Sequence, residues 1–204
     1  MSIKTVQILA PSDILCEFVE VVIHNILYAK KLYPEAIFSR RRKYGVAVYQ
    51  CIQPDVNEYI KEILKAISFH SKKNQLNKIY LCIHNGDFIC EKYIFEILDL
   101  KTNTESDPFL IDLEQFMRNF ILKLHTTLDY LEGLDKNSTF SIRLQVTAYS
   151  NLEFNQNPSY ENFPWVELYE KDCSDHSVDI VPLNSLQSDV LKLQLYVEKS
   201  VKDI

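Results

Sequence analysis

"NKIYLCIHNGDFICEKYIFEIL", residues 77–98, reads as a hairpin around which the rest of the chain must be arranged. Ile79, Leu81 and Ile83 recur every second residue, the period of a strand with one buried face. Asn85-Gly86 follows at once, and this pair is the strongest two-residue hairpin signal because both residues accept a left-handed backbone. The returning arm is longer than the first and has room for a bulge. A hairpin with one apolar face needs something to bury that face.

Three helical patterns supply it. "PSDILCEFVEVVIHNILYAKKLYP" (11–34) carries Ile14, Leu15, Phe18, Val22, Ile26 and Leu27 at helical spacing, with Ser12 or Asp13 as cap and Pro34 as stop. Its apolar face is wide, which predicts a central, heavily buried helix. "PDVNEYIKEILKAISF" (54–69) places Val56, Tyr59, Ile60, Ile63, Leu64 and Ile67 in one stripe behind an N-terminal proline. "DPFLIDLEQFMRNFILKLHTTLDYLEG" (107–133) starts at Asp107-Pro108 and stops before Gly133. "STFSIRLQVTAY" (138–149) is a further strand, with Phe140, Ile142, Leu144 and Val146 on one side. The order predicts an α+β fold, three helices packed on one face of an antiparallel sheet.

The last 55 residues behave differently. "SNLEFNQNPSYENFPW" (150–165) is Asn-rich, with two prolines, and reads as an irregular connection. "WVELYEKD", "VDIVPL" and "VLKLQLYVEKSV" are short extended or ambiguous runs. If the last is a strand, Leu191, Leu193, Leu195 and Val197 face inward and Lys192, Gln194 and Tyr196 face out. Too few apolar residues lie together here for a separate core, so the tail must dock on the preceding 150 residues or on a partner. A chain of this length fits one large domain or two small ones.

Composition excludes several functions. The balance of 28 acidic against 22 basic residues, net charge -6, is the reverse of what a phosphate-gripping surface needs. Three glycines, none clustered, make no phosphate-cradling loop. Five widely spaced cysteines without a CxxC pair read as reduced thiols of an intracellular protein. His24, His70, His84, His125 and His176 form no HxH or HExxH pattern, and no nucleophile motif occurs. No run reaches the ~18 apolar residues of a membrane span. The expectation is a soluble non-enzyme with no metal, no cofactor, no direct nucleic-acid contact and no membrane contact.

Two local features remain. Arg40, Arg41, Arg42 and Lys43 in "AIFSRRRKYGVAVYQCI" admit three readings: a nucleic-acid patch, a nuclear address, or a solvated turn between two short strands that serves as a protein-contact edge. The turn fits the flanking segments best. Trp165, the lone tryptophan, sits with Phe163 around Pro164 and either anchors the tail or closes over a bound peptide.

Taken together, "ILCEFVEVVIHNILYAKKLYPEAIF", "RRRKYGV", "NEYI", "EKYIFEI", "RNFILK", "NFPW" and "SDVLKLQLYVE" resemble, in order, the HORMA-domain accessory subunits of translesion DNA polymerase zeta, over about residues 12–199. The resemblance implies a single HORMA domain, 1–204, with a core of about 10–149 and a C-terminal safety belt of about 150–204 that wraps a proline-containing peptide of the polymerase zeta catalytic subunit, the peptide adding a strand to the sheet. It implies Tyr59 and Trp165 as the aromatic contacts to that peptide. It further implies Ile180, Gln194 and Tyr196 as the surface for the C-terminal domain of a scaffold translesion polymerase. Family members often carry leucine where this chain has Ile180. Arg118 matches the arginine through which family members self-associate, as homodimers or HORMA heterodimers, and an AAA+ remodeller is a further implied partner. The implied location is the nucleus, with the cytoplasm left open. A HORMA adaptor working mainly in checkpoint or double-strand-break repair complexes is the alternative.

Overall fold

The computed structural model describes residues 10–101, 110–131, 134, 137–147, 154, 156, 165–166 and 178–200. Helix α1 (Pro11–Ala29) runs through the middle, its Leu15, Phe18, Val19, Val22, Ile23, Ile26 and Leu27 all fully enclosed. A face that wide has contacts on several sides: α2 (Pro54–Ser71), α3 (Ile111–Leu128) and a small hairpin of β1 (Phe38–Lys43) and β2 (Val46–Cys51). The main sheet is built from β3 (Leu76–Asn85), β4 (Phe88–Leu100), β5 (Thr139–Val146), β6 (Val178–Gln187) and β7 (Leu191–Ser200). Its order is β5-β3-β4-β7-β6, every neighbouring pair antiparallel. The expected α+β fold, three helices with an antiparallel sheet, is the one observed, and the C-terminal strands dock on β4 as part of that sheet.

The hairpin is where the sequence indicates, shifted by one residue. Asn85 pairs with Phe88, so the loop is Gly86-Asp87 and only Gly86 takes a positive φ, +63°. The bulge is present: Ile83 pairs with Glu91 and His84 with Ile89, leaving Cys90 as the extra residue, its Sγ on the Ile83 carbonyl.

Helix α2 starts at Pro54 as expected, and the other helix ends depart from expectation. Ser12 and Asp13 are inside α1; Ala10 is the N-cap, with Pro11 in the first turn and no side-chain cap. The helix stops at Ala29, well before Pro34, because the amides of Lys31 and Leu32 bond back to the carbonyls of Tyr28 and Leu27, a Schellman closure with Lys31 at φ +52°. Helix α2 closes the same way, with Asn74 at φ +52° and Gln75 bonded to His70. Helix α3 begins at Ile111 after a left-handed Leu110; the expected start at Asp107-Pro108 and stop at Gly133 lie outside the described residues.

The four cations do not form a turn. Arg40, Arg41 and Arg42 are exposed and, with Lys43, lie within strand β1; the turn is Tyr44-Gly45, both at positive φ. Strand β1 is the outer member of a two-stranded ribbon, and a row of charges on such a strand discourages pairing with another chain. The inner strand is satisfied by α1 instead. The Tyr49 amide donates to Asn25 Oδ1 at 3.3 Å and the Cys51 amide to His24 Nδ1 at 3.4 Å, which explains two buried polar residues on an otherwise apolar helix.

A buried ion pair ties α1 to the sheet. Lys30 Nζ donates to Glu91 Oε1 at 2.9 Å, Tyr93 Oη donates to Glu91 Oε2 at 2.7 Å, and Lys199 of β7 lies 4.0 Å away. Both partners are almost wholly enclosed. Lys30→Met leaves the carboxylate without its nearest cation and should cost about 3 kcal/mol or more. A urea unfolding midpoint measures this, and Glu91→Gln added to the same chain should recover part of the loss.

Candidate functional site

Strand β5 is an edge of the sheet, with β3 on one side and no strand on the other among the described residues. The Ile142 amide turns away from β3 and donates to the Tyr59 hydroxyl at 3.0 Å. Because an antiparallel ladder alternates, Phe140, Leu144 and Val146 turn their backbone groups outward with Ile142. Tyr59 reaches this edge from α2, its ring edge-on to Phe140 at 5.5 Å, with Tyr33 on the other side of Phe140 at 6.2 Å. Burial pushes the Tyr59 hydroxyl pKa up, and the Ile142 amide opposes that shift.

Trp165 belongs to a second aromatic group at the far end of the same helix. Phe154 is buried against Phe69 (5.3 Å between ring centroids) and His70 (4.9 Å) of α2, and Trp165 meets Phe154 edge-to-face at 5.8 Å. Tyr59 and Trp165 are thus linked through α2 and make no ring contact with each other. Ten or eleven residues of helix separate their footings, roughly 16 Å, the length of about five residues of strand. Phe163 and Pro164 lie outside the described residues.

Ile180, Gln194 and Tyr196 gather on the sheet face opposite the helices. Tyr196 pairs with Pro182, Gln194 with Ser185, and Ile180 with Glu198, so all three share one face of the β6–β7 ribbon. Ile180 is 62% exposed. Tyr196 is steadied from two strands away, its hydroxyl accepting from Lys78 Nζ at 3.2 Å while Lys78 also pairs with Glu96 at 3.1 Å. The hydrogen bond to Tyr196, ahead of Glu96, raises the Lys78 pKa. Arg118 is remote from both groups, exposed on α3, its Nη1 3.1 Å from where a Cβ on Gly45 would stand. Near it α3 exposes Phe116 and Leu122, and Leu122 lines an open cleft of about 520 Å³ with Tyr130, exposed just past the helix end.

A family model described as the HORMA domain matches residues 12–116. The chain belongs to the HORMA family. Among curated relatives of this HORMA protein, "Mitotic spindle assembly checkpoint protein MAD2B" of Homo sapiens is 34% identical over 92% of this chain and 90% of the relative. "DNA polymerase zeta processivity subunit" of Arabidopsis thaliana is 30% identical over 90% and 83%, and "DNA polymerase zeta subunit 2" of Drosophila melanogaster 26% over 91% and 96%. In fold, a chain of the Mitotic Checkpoint Complex superposes with TM-score 0.76 at 21% identity, covering 93% of this chain and 98% of its own. C. elegans HTP-2 bound to HTP-3 closure motif 1 gives 0.65 at 15% identity, with coverage of 92% and 85%.

Sequence reasoning missed the supports of this HORMA site: Tyr33 and Phe140 around Tyr59, and Phe69, His70 and Phe154 around Trp165. Phe154 had a visible signal, a single aromatic in the polar run "NLEFNQN". Among the described residues no group of three or more His, Cys, Asp or Glu is placed to hold a metal ion.

The buried histidines set an acid limit. Desolvation lowers His24 and His70 to about 4, with Lys73 adding to the effect at His70. An unfolded chain binds these protons near the ordinary imidazole value, so between there and pH 4 it binds more protons than the folded one. Stability should then fall as pH drops through that window, by on the order of 1 kcal/mol per pH unit per histidine. Chemical denaturation across the window checks this; His70→Leu should flatten the slope, and an unchanged slope contradicts the assignment.

Proposed function

We propose that this protein is a non-catalytic adaptor. It clamps a proline-containing peptide of the polymerase zeta catalytic subunit along β5 and bridges it to the C-terminal domain of a scaffold translesion polymerase. The observation that carries the reading is the outward edge of β5, flanked by Tyr59 at one end of α2 and by the Trp165 group at the other. A peptide strand on that edge pairs with the backbone of Leu144 and Val146, and main-chain bonds hold it while the aromatic ends select its side chains. Proline suits such a ligand, since it pre-extends the chain and packs flat on aromatic rings.

The scaffold contact falls to Ile180, Gln194 and Tyr196, on the face of the sheet opposite the helices. An apolar side chain beside an amide and a phenol is a surface suited to a partner with mixed chemistry. The two partners thus use separate surfaces and can be held together. The names of the relatives in Drosophila and Arabidopsis, both polymerase zeta subunits, favour this reading. Self-association through Arg118 and the exposed side of α3, release by an AAA+ remodeller, and a nuclear location complete it. A checkpoint or break-repair adaptor is the second reading, favoured by the checkpoint name of the human relative.

Titration with a peptide from the same organism's polymerase zeta catalytic subunit tests the proposal. Trp165→Ala and Tyr59→Ala should each weaken binding by about 2 kcal/mol or more, as hot-spot aromatics do. Gln194→Ala with Tyr196→Ala should leave peptide affinity unchanged and abolish capture of the scaffold domain. No binding of the peptide by the native chain assigns the clamp to a checkpoint or repair partner instead.

A further inference from the structure

We propose that Phe154 is the positioning residue of the clamp: it pins the chain that follows β5 to the end of α2 and holds the Trp165 ring ready for a ligand. The inference rests on the peptide-clamp reading of Trp165 for its purpose, and on geometry alone for its mechanism.

Phe154 is 3% exposed, although Leu152 is the sole other apolar residue among the three on either side of it in sequence. A lone aromatic in a polar run becomes buried only by leaving its neighbours for another element. Here that element is the last turn of α2, where Phe69 stands at 66° to the Phe154 ring and His70 packs at 37°. Lys73 Nζ lies 4.5 Å from the Phe69 ring on the same turn. Trp165 meets Phe154 at 85°, the edge-to-face arrangement that aromatic quadrupoles favour. Trp165 itself is only half-buried, and Val166 after it is 76% exposed. The tryptophan is therefore oriented and still has surface left to meet a ligand.

Position along the chain gives this contact its consequence. Strand β5 ends at Val146, and Thr147 is still fastened, its amide on the Gln75 carbonyl at 3.1 Å in the turn after α2. Phe154 meets that same helix end. Its contact with Trp165 holds the ring near the edge of the sheet and so raises the local concentration of the indole there. An aromatic that is ordered beforehand loses less freedom when the ligand arrives. The ligand class is the one that an oriented indole selects beside a strand edge, an extended peptide with proline near its end.

Trp165 is the sole tryptophan, so its fluorescence reports this site alone. Phe154→Ala should shift the emission of the free protein to the red and raise acrylamide quenching several-fold, with circular dichroism unchanged. Phe154→Leu, which keeps apolar volume and removes the ring, should fold fully and give an intermediate shift. With the polymerase zeta peptide, Phe154→Ala should release it about tenfold faster at a little-changed association rate. Native emission and quenching in both variants overturn the proposal, whatever the peptide does. A red shift in both variants supports it even if the native chain binds no such peptide, an outcome that removes the peptide assignment and leaves the pin.

Discussion

Backbone polar groups at the rim of a sheet need partners, and the two rims of this sheet meet that need differently. On the β6 side, Pro182 has no amide to offer and the register slips between Pro182 and Asn184, so a straight strand cannot pair along it. On the β5 side no proline interrupts Thr139–Val146. One outward amide, that of Ile142, is taken by the Tyr59 hydroxyl, and the groups of Leu144 and Val146 continue the line beyond it. The asymmetry leaves β5 the more regular of the two rims, the one on which the proposed peptide strand would lie. Helix α2 carries an aromatic group towards each end beside it.

The rest of the molecule holds that edge in place. Helix α1 is enclosed on nearly every side, and three polar side chains on it or at its C-cap have structural work: His24 and Asn25 take up the amides of β2, and Lys30 neutralises Glu91 within the sheet. Glu91 sits beside the Cys90 bulge and pairs in register with Lys199, so the same carboxylate touches α1, β4 and β7. That buried charge couples the docking of the C-terminal strands to the central helix. Ile180, Gln194 and Tyr196 lie on the outward face of those strands, while their inward leucines complete the core.

Much of this was legible in the residues. Alternation in 77–98 and 138–149, and the stripes of the three helices, follow directly from burial on one face. The inward set Leu191, Leu193, Leu195 and Val197 is as the period predicts. The start of α2 at Pro54 was legible, but the C-terminal ends of α1 and α2 were not, because Lys31 and Asn74 fill left-handed positions where glycine is the usual signal, in a chain with three glycines. The arginine run misled for a related reason: Tyr44, an unusual residue for positive φ, takes half of the turn and leaves the cations in the strand. The outward facing of Gln194 and Tyr196 and the two readings of Trp165 came from pattern, while the partner roles of Tyr59, Trp165 and the outward trio came from resemblance. The ring cluster at Phe154 depends on a contact between residues far apart in sequence, which no periodicity encodes.

Residue-resolved amide exchange with and without the polymerase zeta peptide tests the central claim most directly, since pairing protects the amides it uses. The account predicts that Leu144 and Val146 slow markedly on peptide addition while the amides of β6 do not change. Protection that appears along 178–187 with β5 unaltered would contradict it.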